Sequence, residues 1–168
     1  HHMAITWDGS KGEGIDYMDG LEVNTETNPP GSVPYSGTRN LYVGSLYGNE
    51  RFWGVQLDEI RMWSFVLSES EIRDHMCQKD LSSHPQLANL AAYYRFDDGT
   101  GSATLQDLSG NGNNGSLINM DPATDWVTSG APIGDQSTQG YGIASVSLSD
   151  GTSMTVDNLT GSPDGVHV

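Results

Sequence analysis

The chain has 168 residues, 35% of them hydrophobic, which suffices for one packed domain or a domain with a fragment beside it and excludes a disordered tail. Twenty-two acids against seven bases leave a formal charge of −15. A surface that acidic repels phosphate backbones and anionic headgroups, so nucleic acid and membrane surfaces are poor partners, whereas it suits a secreted or salt-tolerant protein and favours divalent cations where carboxylates and amide oxygens converge.

Twenty-one glycines and seven prolines, with many Ser, Thr, Asn and Asp residues, separate short apolar runs, the pattern of an all-β protein with many turns. No apolar run is long enough to span a bilayer, and no signal peptide is visible in the stretch. The one cysteine, Cys77, leaves no internal disulfide; it reads as a buried thiol or as half of a bridge whose partner lies elsewhere. His1, His2, His75, His84 and His167 show no metal-ligand spacing.

From the start, "AITWDGSKGEGIDYMDGLEV" alternates apolar and polar residues, and Asp19-Gly20 predicts a tight hairpin turn because both residues tolerate positive φ. Residues 24–38 read as loop, with Pro29-Pro30-Gly31 inside them. The runs "LYVGS" and "FWGVQLDEIRMW" predict strands, with Leu57, Ile60 and Met62 in the core and a bulge at Asp58-Glu59 where the apolar phase slips. "LSESEIRDHM" predicts the one good helix, with Ser68 as N-cap, Glu71 completing a capping box and Leu67 packed on Ile72. Strands resume at "NLAAYYRFDD". A loop "QDLSGNGNNGSL" and a strand in "TDWVTSGAPIGD" follow. From about Gln136 a polar linker leads into fresh alternation, which predicts two units, 1–135 and the first strands of a further β-domain in 136–168.

These phrases, "HHMAITWDG", "IDYMDGLEV", "LYVGS", "FWGVQLDEIRMWSFVLSESEI" and "NLAAYYRFDDGTGSATLQDLSGNGNNGSL", together resemble the laminin G-like (LamG, concanavalin A-like) jelly-roll domains of large secreted and surface bacterial proteins, over about residues 1–133. His-His at the start is either a tag remnant or native. The resemblance favours native, since such domains commonly read Trp-His-His-Val-Ala there, and it implies that His1 and His2 are strand residues. It further implies an all-β jelly-roll sandwich whose front strands are missing, leaving an inner face exposed.

The loop Asp107 to Gly115 sets oxygen-bearing side chains on alternate residues, as hard cations require. An EF-hand is excluded by Ile118 where a bidentate Glu belongs. The resemblance implies a structural calcium site on Asp107 and Asn111, with Asp58 from the neighbouring strand and Ser109 and Asn113 beside them; the alternative is a turn in which Asn and Asp side chains bond their own backbone. So few carboxylates imply a weak calcium affinity, roughly 0.1 to 1 mM.

Trp7, Trp53, Trp63, Trp126, Tyr93 and Tyr94 read mostly as core, while Tyr35 and Tyr47 lie in loops and are the better candidates for stacking on a sugar ring. The sequence contains no paired glycosidase carboxylates on one strand face, since Asp58 and Glu59 are adjacent, and no nucleophile elbow, zinc-binding helix or P-loop. Asn114 and Asn158 open glycosylation sequons, a motif common by chance. The resemblance therefore implies a non-catalytic, calcium-supported carbohydrate- or protein-binding adhesion module of a multidomain extracellular or cell-surface protein, its partners a glycan or extracellular protein and the neighbouring β-domains. The alternatives are a spacer domain with no ligand and an accessory domain of a secreted glycoside hydrolase.

Overall fold

The computed structural model describes residues 1–29, 40–46, 50–131 and 133, together with short strands at 144–147, 153–156 and 165–166. The fold is all-β, with antiparallel sheets and one short helix, consistent with a concanavalin A-like β-sandwich. Strands β1 (Met3–Asp8), β2 (Glu13–Met18) and β3 (Leu21–Thr27) form a meander. The β2–β3 turn is Asp19-Gly20 with φ of 52° and 77°, both left-handed, as the sequence predicts. The sequence ends this region in a loop from residue 24, but β3 continues to Thr27 because the ladder to Glu13 extends that far.

The centre of the molecule is the pair β6 (Ile60–Trp63) and β7 (Leu90–Tyr94). Their side chains alternate between two cores. On one face Ile60, Met62, Ala92 and Tyr94 pack with Phe96 and with Val43, Leu105 and Leu117 from β4 (Leu41–Val43), β8 (Thr104–Leu105) and β9 (Gly115–Ile118). On the other, Trp63, Leu90 and Tyr93 pack with Ala4 and Tyr17 of the meander, with Leu67 and Leu81, and with Ile72 of α1 (Glu69–His75). Fully burying a Val, Leu, Ile, Phe or Met side chain stabilises by about 1.5–3 kcal/mol. The helix begins as its sequence dictates, with Ser68 and Glu71 capping each other's backbone N–H groups.

The phase slip at Asp58-Glu59 marks a change of sheet. Before it, β5 (Gln56–Leu57) pairs with β11 (Ala144–Ser147); after it, β6 pairs with β7. Glu59 makes the corner with a left-handed φ of 56°, a conformation that costs a non-glycine residue about 1 kcal/mol or more. Residues 52–55, which the sequence includes in a strand, lie outside any ladder.

Beyond residue 135, three short strands pair with strands of the preceding part of the chain. β11 pairs with β10 (Trp126–Thr128) and β5, β12 (Ser153–Val156) lies between β4 and β9, and β13 (Gly165–Val166) pairs with β6. The unpaired N–H and C=O groups of those strands are what an added strand satisfies. His1 and His2 precede β1 and are not strand residues, although the His2 carbonyl accepts the Asp19 N–H at 2.8 Å.

Candidate functional site

The loop 107–114 folds around one carboxylate. Asp107 is buried, and its Oδ1 accepts the N–H groups of Tyr93 and Ser109, both at 2.9 Å, while Oδ2 accepts the Asn113 N–H and the Ser109 hydroxyl, also at 2.9 Å. Asn111 turns its amide Nδ2 to the Leu90 carbonyl at 2.8 Å, and Asn113 turns its own to the Ala91 carbonyl at 2.9 Å. Ala91 is the extra residue at a register shift in β7, which frees its carbonyl from the ladder. The Leu108 N–H donates to the Tyr93 carbonyl at 2.8 Å, and Tyr94 donates its hydroxyl to the Asn113 carbonyl. The loop thus lies along β7, the outer strand of its sheet, and satisfies the backbone groups there.

A second polar centre sits on the other face of the β6–β7 pair. Glu59, with its side chain 9% exposed, accepts the Tyr93 hydroxyl at 2.6 Å and Arg61 Nη2 at 2.8 Å, both on Oε2. Its Oε1 lies 3.9 Å from Lys79 Nζ and 3.8 Å from Arg95 Nε, and both cations also reach Asp97. Arg61 donates Nη1 to the His75 carbonyl at 2.8 Å and Nη2 to the Gln78 carbonyl, placing a cation at the negative end of α1. Burial, then the Glu59 charge, push the Tyr93 phenol well above its ordinary range. Asp58 lies near Glu59, Lys79, Asp97 and Ser129. Its carboxyl is buried, and that burial, only partly offset by Ser129 beside it, pushes its pKa up to about 6.

Between the start of the chain, β6 and α1 lies a small, partly open pocket walled by His2, Arg61, Trp63, His75, Met76 and His84. His84 stacks on Trp63 with ring centroids 4.3 Å apart and touches the His75 ring at the same distance. Its Nδ1 accepts the Gln86 N–H at 3.0 Å, so the neutral ring carries its proton on Nε2. Burial, followed by the nearby His75, holds its pKa down at about 4. Burial, then the Arg61 charge, likewise lower His2.

Residues 1–73 match the family model Laminin_G_3, described as the concanavalin A-like lectin/glucanases superfamily. That stretch is similar to LamG-like domains. Searches among curated proteins and among solved structures each found no match. LamG-like domains are generally non-catalytic and typically extracellular, and no described helix is long and apolar enough to cross a membrane.

The LamG resemblance raises calcium at the Asp107 loop, and the donor set does not fit it. Four protein donors occupy the lone-pair sites of Asp107, so a cation there would meet N–H groups instead of free oxygens. The amides of Asn111 and Asn113 present nitrogen to the same backbone carbonyls that calcium would have to recruit. Asp58 keeps different company, and no group of three or more His, Cys, Asp or Glu suited to a metal occurs among the described residues. Asp107 bonds backbone N–H groups of its own turn, as the alternative raised from sequence has it, whereas Asn111 and Asn113 donate to carbonyls of β7.

Tyr35 and Tyr47 fall outside the described residues. Of the tryptophans, Trp63 is core, Trp7 and Trp126 are half-buried, and Trp53 is 51% exposed although the sequence assigns it to the core. Sequence reasoning misses the ionic centre and the histidine pocket. Arg61 and Tyr93, Glu59 and Lys79, and His2 and His84 meet only through folding, and the one local sign is the Asp58-Glu59 break in apolar phase.

Proposed function

We propose that this chain is a non-catalytic, glycan-binding module of an extracellular or cell-surface protein. The match of residues 1–73 to the concanavalin A-like lectin/glucanases superfamily carries the reading. Trp53 supports it: its backbone N–H is tied to the Gly44 carbonyl at 2.9 Å while half of the residue's surface stays open to solvent, which suits the apolar face of a pyranose. Fold alone does not name the sugar. A glycan array probed with the chain and with Trp53→Ala tests this. Retention of a defined glycan set by the parent and at least tenfold weaker retention by the variant supports the proposal, while retention of nothing points to a spacer.

A protein ligand is favoured by a separate observation. Cross-strand register aligns Met3, Met18 and Leu21 in one row on the outward face of the meander, with Ile5 one row further, and these four are 52%, 37%, 57% and 47% exposed. Contiguous exposed apolar surface marks sites of contact with other proteins.

A further inference from the structure

We infer that the free edge of β3 docks an extended segment of another protein, added as a further strand, in which basic residues alternate with β-branched ones. This gives the protein-ligand reading of the meander a mode of contact and rests on it. Among the described residues β3 pairs with β2 alone, and all seven of its residues are exposed. On an antiparallel edge every second residue turns its N–H and C=O groups away from the one neighbour, and no described residue beyond β2 bonds the backbone of β3. Proline or lysine commonly blunts such an edge, and Leu21–Thr27 has neither. Val23 is the extra residue at the register shift opposite Asp16 and Tyr17, so the regular part of the edge is residues 24–27.

Charge selects the occupant. Strand β3 carries Glu22 and Glu26 with no basic residue, and Glu13 and Asp16 stand on the strand beside it. The bases nearby are engaged, Lys11 with Asp8 at 3.1 Å and Arg73 with Glu69 at 3.6 Å. A second copy therefore brings only like charges to the edge, on a chain of net charge −15, and self-pairing is opposed. A cationic strand meets the reverse situation. Asn24 and Glu26 share the face of the meander that carries Met18 and Leu21, and Thr25 and Thr27 share the other. Bases at every second place then lie beside Glu26, and the β-branched side chains between them pack beside the two threonines. Backbone bonds give a contact of this kind its affinity, and the alternating side chains give it specificity.

The test titrates the full 168-residue chain, labelled at its methionine methyl groups, with short synthetic peptides. One alternates lysine and valine, one is the same peptide N-methylated at every backbone nitrogen, and one has glutamate in place of lysine. Amide exchange followed by NMR reads the edge, and the Met3 and Met18 methyl signals read the outward face. The proposal expects the lysine peptide to bind saturably and to slow amide exchange within residues 24–27 about tenfold, with no such slowing by the other two. Glu26→Lys, checked for parental circular dichroism, should weaken the lysine peptide about fivefold and strengthen the glutamate peptide. An equal response to the lysine peptide and its N-methylated form means attraction by net charge alone and overturns strand addition. Binding of the lysine peptide that Glu26→Lys leaves unchanged overturns it as well. Methionine shifts without slowed exchange also overturn it, while keeping the face of the meander as a protein contact. Silence at both reporters with every peptide overturns the proposal and gives the protein-ligand reading no support.

Discussion

The side chain of Asp107 accepts the backbone N–H of Tyr93 at 2.9 Å, so a loop residue closes the open edge of the central strand pair. Asp107→Ala strands that N–H with those of Ser109 and Asn113, and it should cost about 3 kcal/mol, read as a lower urea midpoint. Because the carboxylate is saturated by these donors, the parental Tm should be the same in EDTA and in millimolar calcium. A rise with calcium that disappears in Asp107→Ala would return the loop to the metal sites.

The hydrogen bond from Tyr93 to Glu59 joins β7 to the ionic centre. Tyr93→Phe should cost about 2 kcal/mol, the usual loss for a bond to a charged acceptor. Glu59→Gln should cost more, about 3–5 kcal/mol, because Arg61 and Lys79 are then buried without their shared anion. Chemical denaturation of both singles and the double variant measures this, and full additivity would show that the two side chains act separately.

Two groups give opposite pH dependence. His84 has a folded pKa of about 4 against 6.5 unfolded, so its contribution to stability is whole above 6.5 and is lost as pH falls towards 4. Asp58 has a folded pKa of about 6 against 3.8, so the protonated acid favours the fold below 3.8 and that contribution is lost as pH rises through 6. Asp58→Asn should therefore gain on the parent at pH 8, by about 1 kcal/mol after solvent screening, and gain nothing near pH 3.8. Thermal melts at the two pH values check this; an equal gain at both would assign the effect to packing. The ring signals of His84 should titrate near pH 4 by NMR.

Glycines at similar φ should differ in tolerance. Gly12 has φ of +68°, and a Cβ there would lie 2.0 Å from the Asn28 carbonyl oxygen, whereas Gly110, at +88°, has nothing within 4 Å. Gly110→Ala should cost about 1 kcal/mol from backbone strain alone, and Gly12→Ala about 3 kcal/mol or more as the backbone contact is also forced apart. Urea midpoints of the two variants compare them directly.

What the sequence makes legible is local. The Asp19-Gly20 turn, the Ser68–Glu71 cap and the core positions Ile60 and Met62 follow from residues within a few places of one another, and the structure has each. The corner at Glu59 is visible as a slip in apolar phase, but whether it is a bulge or a change of sheet depends on partners at Val146 and Tyr94, far along the chain. The Asp107 loop shows in composition as oxygen-rich, and composition does not say which way an amide points. Asn111 and Asn113 present nitrogen because the bulged Ala91 and its neighbour Leu90 offer carbonyls, a circumstance set by strand register.

That β6 and β7 carry both cores on one backbone has a consequence for how the molecule opens. Prising apart either layer disturbs a ladder on which the other depends, so neither half has an independent opening of low free energy. The amides of Met62 and Ala92 sit where solvent arrives only with global unfolding, and they should be among the slowest in the chain to exchange with deuterium. Strand β3, with Val23 and Leu21 exposed at the rim of the meander, is free to fray first.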